Sequence, residues 1–126
     1  MPADGPSTHE RGRRGEQIAV DLLRQSGYRI VERNYRWAGG EIDIIAAEGD
    51  TLCFVEVRTR QDDERGDPLE TVSAHKQRQI VRAARLYLAD HDVGDSYVRF
   101  DVVGIVYEPE PRAVLIRGAF DAPSNW

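Results

Sequence analysis

The sequence predicts an α/β fold with its elements in the order α-β-β-β-α-β-β. Three observations predict it: two segments repeat apolar residues at helical spacing, five others read as strands, and breaks rich in glycine or proline fall between them. Ile18, Ala19, Leu22 and Leu23 recur at helical spacing within about Glu10 to Ser26, and Gly27 supplies a stop. Strand-like segments follow at Tyr28 to Tyr35, Glu41 to Ala47 and Thr51 to Arg60, separated by Trp37-Ala38-Gly39-Gly40 and by Glu48-Gly49-Asp50. The second and third should pair as a hairpin. Gln61 to Glu70 is polar, with Gly66 and Pro68, and reads as a surface loop. A second helix is expected from about Val72 to Ala89, with Ile80, Val81, Ala84, Tyr87 and Leu88 as its apolar stripe. Two more strands, near Tyr97 to Tyr107 and Arg112 to Ala119, complete the chain.

A chain of 126 residues with 40% apolar and 31% charged side chains supports one core. We expect a single domain over 10–120, a disordered tail over 1–9 and a short C-terminal tail over 121–126. No apolar run approaches the ~20 residues needed to cross a bilayer, and no hydrophobic segment follows the arginines near the start, so a soluble, cytoplasmic protein with no membrane partner is expected. Cys53 is the single cysteine and lies in an apolar run, which excludes an intramolecular disulfide framework and a cysteine-based zinc site. His9, His75 and His91 have no ligand spacing, so no histidine chemistry is assigned.

Strand periodicity places Ile42 and Ile44 on one face of the second strand and Glu41, Asp43 and Ile45 on the other. In the third strand Cys53, Val55 and Val57 share a face, and Leu52, Phe54, Glu56 and Arg58 share the opposite one. A two-residue turn at Gly49-Asp50 sets Glu48 across from Thr51 and Asp43 across from Glu56. Opposed carboxylates destabilise a hairpin, so something should compensate. A divalent cation with a hard oxygen shell, Mg²⁺ or Mn²⁺, does this well; the alternatives are solvation on an open face or pairing with Arg58 and Arg60. Glu16 projects toward the sheet side of the first helix and either joins this cluster or serves as a carboxylate near the helix N-terminus.

Several blocks of the sequence resemble the YraN family of bacterial proteins: Arg14-Gly15-Glu16, Gly27-Tyr28, Asn34-Tyr35-Arg36, Gly40-Glu41-Ile42-Asp43-Ile44-Ile45, Phe54-Val55-Glu56-Val57-Arg58, Lys76 and Arg99-Phe100-Asp101. The likeness covers roughly Arg13 to Phe120. That family is similar to the PD-(D/E)XK nucleases and, among them, to archaeal Holliday-junction resolvases. The resemblance implies a restriction-endonuclease-like core with a mixed central sheet, a metal-dependent phosphodiesterase site and DNA, branched or single-stranded, as ligand. It also implies a dimer, because junction resolvases use two sites.

Carried over position by position, Asp43 matches the motif aspartate, Glu56 the acidic residue before the motif lysine, and Glu16 a helix glutamate of resolvase-like members. Asp43, Glu56 and the Val57 carbonyl would hold Mg²⁺ or Mn²⁺, with Glu16 acting through water. Arg58 stands where the pattern has lysine; its planar fork can bind phosphate oxygens, but it stays protonated and cannot be a base. An enzyme and a catalytically silent binding module both fit that exchange. The acidic total adds a protein-interaction adaptor.

For nucleic-acid contact we expect Arg13 and Arg14 at the start of the first helix, Arg36 and Arg60 beside the motif strands, and Lys76, Arg78 and Arg82 on the second helix. His75, Arg78, Arg82 and Arg85 form one stripe there, with no acid between Thr71 and Ala89. Lys76, the single lysine, is expected on phosphate, with an ammonium for the carboxylates as its alternative. Trp37 either stacks on an unpaired base or packs on its own domain. Asp101 reads as a structural partner for a nearby arginine. The net charge of −5 argues against nucleic acid at first sight. It is unevenly spread: residues 61–70, 90–95 and 108–111 carry −4, −3 and −2, which leaves the remainder at +4.

Overall fold

The structure, a computed structural model, describes residues 8–37, 39–60 and 72–124. Residues 1–7 of the tail expected over 1–9, the loop at 61–70 and the last two residues lie outside the described residues. Within them the order is α1 (Thr8–Gln25), β1 (Arg29–Trp37), β2 (Gly40–Glu48), β3 (Thr51–Arg60), α2 (Ala74–Asp90), β4 (Tyr97–Val106) and β5 (Arg112–Phe120). This is the α-β-β-β-α-β-β order, and the sheet is mixed.

The five strands lie in the order β1-β2-β3-β4-β5. β3 and β4 run parallel, and the other neighbours are antiparallel. A parallel pair needs a crossover connection, and α2 lies on that connection, covering one face of the sheet. α1 covers the other. Beneath α2, Ile80, Ala84 and Tyr87 pack with Ile42, Ile45, Phe54 and Phe100. Beneath α1, Ala19, Val20 and Leu23 pack with Ile44, Ala46, Cys53, Val55 and Val103. Both helices therefore bury the apolar stripes that their spacing marks, each large aliphatic side chain contributing about 1.5–3 kcal/mol by leaving water.

The ends of the elements follow local chemistry. α2 starts at Ala74, two residues later than expected, because the Ser73 hydroxyl caps it by accepting the Lys76 N–H at 3.2 Å. Gly49 takes a left-handed φ of 57° and closes the two-residue turn that pairs Glu48 with Thr51. α1 begins at Thr8, inside the stretch expected as tail. Trp37 is not in a loop: its pairing with Gly40 makes it the last residue of β1.

One expected face assignment is corrected. Ile42 does not share a face with Ile44; it joins Ile45 under α2, while Ile44 lies under α1. Simple alternation fails at Asp43 because regular pairing fails there on both sides. The β2–β3 pairs run from Glu48–Thr51 only as far as Ile44–Val55. On β1 the pairs Arg33–Ile44 and Tyr35–Ile42 bracket Asn34, which adopts a φ of 56°. Asparagine is one of the few non-glycine residues that tolerate that region.

Candidate active site

The irregularity at Asp43 shapes the site. The β2–β3 register is the one the turn dictates, and where its pairing stops the Asp43 carboxylate replaces a backbone acceptor: its Oδ2 takes the N–H of Val57 at 2.8 Å. Glu56 precedes Val57 and belongs to the α2 face of β3. Its side chain is 12% exposed, and its Oε1 lies 3.9 Å from Nζ of Lys76 in the first turn of α2. Asp43 and Glu56 thus meet at one place, and the helix ammonium joins them.

Both carboxyls are held well above their ordinary range. Burial is the first cause for Asp43, opposed by the Val57 N–H and reinforced by the charge of Glu41, and it raises the carboxyl to about 6. Burial is again first for Glu56, with the Asp43 charge next; Lys76 and Arg58 oppose them, and the carboxyl rises to about 8. Two acids pushed up together in this way titrate as one unit, and such pairs concentrate at functional sites. Among the described residues no group of three or more His, Cys, Asp or Glu side chains gathers to hold a metal. Two carboxylates still suit Mg²⁺, which keeps several waters and takes one or two carboxylates plus phosphate oxygens.

The other expected site residues distribute as follows. Glu16 is bound by β1: its Oε1 accepts from Arg33 Nε at 2.8 Å and from Asn34 Nδ2 at 3.0 Å. It meets the site through Asn34, which stands across from Asp43, and not by contact with the carboxylates. Arg58 lies close enough for its charge to act on Glu56. Arg36 pairs with Glu41 at 3.2 Å, so the neighbour of Asp43 has its own counter-charge. Arg14 lies over the Tyr107 ring, 5.5 Å from its centroid. Gly15 sits against Thr59 near the end of β3 and against Tyr107 beyond β4, which brings the start of α1 to the site end of the sheet. Arg78 and Arg82 are exposed on α2. Glu41, two residues before Asp43 on β2, adds its charge beside that carboxyl. The Lys76 contact with Glu56 makes the lysine's alternative role the geometric one.

A second polar cluster lies around Asp101 of β4, the register partner of Val55 on β3, and reaches Glu48 at the far end of β2. Asp101 is fully buried; it accepts from Tyr28 Oη at 2.7 Å, Arg99 Nε at 2.8 Å and the Gly118 N–H at 2.9 Å. Arg99 also reaches Glu48 at 2.7 Å, and Arg117 reaches Glu48 at 2.6 Å. No buried side-chain polar atom is left without a partner among the described residues. This cluster joins the end of α1 to β2, β4 and β5, which is the structural role expected of Asp101. Cys53 is buried, and burial pushes its thiol up to about 12, so it is no nucleophile. No described helix is long and apolar enough to cross a membrane.

Fold and site define a helix-flanked, mixed-sheet α/β protein with a desolvated carboxylate pair where β2 and β3 part. The chain belongs to the uncharacterised protein family UPF0102, whose model matches residues 15–105. A UPF0102 protein of Desulfosudis oleivorans is 50% identical over 111 residues, covering 88% of this chain and 89% of that one. A UPF0102 protein of Symbiobacterium thermophilum is 49% identical over 115 residues, covering 88% and 96%. Among solved structures, the chain is similar to Hjc, a Holliday junction resolvase of Archaeoglobus fulgidus. That likeness has 22% identity and a TM-score of 0.48, over 79% of this chain and 72% of that one.

Proposed function

We propose that this chain is a cytoplasmic nucleic-acid-binding protein with a metal-dependent endonuclease-like site, hydrolysing phosphodiesters of branched or single-stranded DNA in repair or recombination. The observation that carries the reading is the shared desolvation of Asp43 and Glu56, joined through the Val57 N–H and lying in the motif blocks that resemble nucleases. Asp43, Glu56 and the Val57 carbonyl would hold Mg²⁺ or Mn²⁺. Such an ion, when bound, acidifies a water and stabilises charge on phosphoryl oxygens. The Val57 N–H fixes the orientation of Asp43. Arg58 offers its fork to the phosphate, and Lys76 supplies positive charge beside Glu56. Glu16, braced by Arg33 and Asn34, orients the strand backbone opposite Asp43. Arg13, Arg14, Arg36 and Arg60 serve the flanking backbone, and two copies would place two sites on a junction.

Arg58 favours a second reading, a catalytically silent module that keeps the fold and binds nucleic acid, because arginine cannot act as a base. Incubation with branched, flapped and single-stranded DNA in Mg²⁺ or Mn²⁺ decides between them. Cleavage by the wild type that is lost in Asp43→Asn and Glu56→Gln is expected, with a rise in Arg58→Lys. Equal cleavage by all forms overturns the site. Salt-sensitive binding without cleavage gives the silent module, and no binding at low salt gives an adaptor.

A further inference from the structure

A groove of about 690 Å³ runs along the outward side of α2, bounded by the β1–β2 turn at Gly39 and by Asp121 and Pro123 after β5. His75, Arg78, Arg82 and Arg85 line it and are exposed. Their steps of three, four and three stack them on one side of the helix. Ten residues of helix span ~15 Å. Asp121 is the one acid among the described residues that line it. Among the described residues, no carboxylate is ion-paired with Arg78, Arg82 or Arg85.

The rim is built to hold one of these arginines. Trp37 ends β1 there, and a Cβ at Gly39 would lie 2.4 Å from the tryptophan ring, so the glycine lets the ring seat against the turn. The Arg82 guanidinium lies over that ring, 5.4 Å from its centroid. That contact gives the exposed Arg82 an aromatic partner at the rim. His75 at one end of the groove is followed in α2 by Lys76, which lies 3.9 Å from Glu56.

We propose that this groove carries a single-stranded stretch of nucleic acid leading to the Asp43–Glu56 pair. Phosphates lie on Arg78 and Arg85, and a base stacks on the Arg82 guanidinium that Trp37 supports. Both strands of a duplex do not enter a space of about 690 Å³. One strand does, and it presents both charge for the arginines and base faces for the apolar lining at Val81 and Pro123. The assignment rests on the nucleic-acid reading above and names the form of the polymer at a place that reading leaves open.

The test is fluorescence anisotropy in EDTA, where no cleavage occurs, using short oligo(dT), oligo(rU), a blunt duplex and poly-glutamate. The expected result is tighter binding of a single strand than of the duplex. Arg82→Ala/Arg85→Ala should weaken single-strand binding about tenfold or more. With ~0.7 per phosphate contact and one phosphate-binding arginine, Arg85, removed, the salt slope should fall by about 0.7. Trp37→Leu should weaken binding several-fold with the arginines intact, and Arg24→Ala, on the exposed side of α1, should leave it unchanged. The dT and rU arms show which polymer is preferred, and either preference supports the groove. Duplex bound as tightly as single strand, groove variants within twofold of wild type, or binding of poly-glutamate alone would each overturn it. The anisotropy read-out does not depend on cleavage. Failure of the cleavage assay therefore sinks the catalytic reading alone, and failure of the groove variants to weaken binding sinks this one alone.

Discussion

The Asp43 carboxylate accepts the Val57 N–H at 2.8 Å, which fastens the acid of β2 to the strand that presents Glu56. Because that bond takes the place of a ladder bond, the two acids are set by backbone geometry and not by mobile side chains alone. A divalent ion held there binds the folded chain and not the unfolded one. At about a hundred times its dissociation constant it adds ~2.7 kcal/mol of stability, on the order of 10 °C in melting temperature for a domain of this size. Differential scanning fluorimetry with and without Mg²⁺ or Mn²⁺ should show that rise in the wild type and not in Glu56→Gln. An equal rise in both, or none in the wild type, would mean the pair holds no divalent ion.

Gly15 sets the distance between α1 and the sheet. Replacing glycine by alanine inside a helix ordinarily gains about 1 kcal/mol. Here the new Cβ would stand 2.6 Å from Thr59 Cγ2 and 2.9 Å from Tyr107 Oη, so the helix must lift. Gly15→Ala is expected to cost about 1–3 kcal/mol in urea unfolding. Thr59→Ser removes the nearer methyl and should recover part of the loss in a double-mutant cycle. A stabilised Gly15→Ala would show the contact to be slack.

Where local chemistry decides, the sequence was legible. The Gly49-Asp50 turn fixed the β2–β3 register, and the apolar stripes of α1 and α2 named the faces those helices bury. Asp43 and Glu56 emerged as a pair because a period of two and one turn suffice to place them. What failed needed information from a third strand. The alternation of β2 slips at Asp43 because Asn34, on β1, adopts a left-handed conformation there. Glu16, read either as part of the carboxylate cluster or as a carboxylate near the helix N-terminus, is bound by Arg33 and Asn34, partners that only folding brings near. Arg99 and Arg117 meeting at Glu48 joins residues 51 and 69 positions apart, which no spacing rule reaches.

Asp101 should be the most costly single carboxylate to remove. Its Oδ1 accepts from Arg99 and Gly118, and its Oδ2 from Tyr28 and Arg99, at full burial. Asp101→Ala leaves those donors facing nothing, and the expected loss is about 3–5 kcal/mol. Asp101→Asn turns an amide toward donors and should lose nearly as much. Urea denaturation with unchanged m-values measures both. A loss under ~1 kcal/mol in Asp101→Ala would show that water replaces the carboxylate without penalty.

Glu48 makes the acid limb of stability specific. The Arg117 fork is the first cause that holds its carboxyl at about 2, below the ordinary 4.5; burial opposes it, and the Arg99 bond adds to it. A carboxylate lowered on folding contributes stability in full above its unfolded value and loses it as pH falls through its folded one. The window therefore runs from pH 4.5 down to about 2. Glu48→Gln gives up that contribution at neutral pH, so its urea midpoint should lie below that of the wild type at pH 7. The gap should close as the pH falls through that window. Midpoints that stay parallel across the window would mean that Arg99 and Arg117 stabilise the fold without drawing on the charge of Glu48.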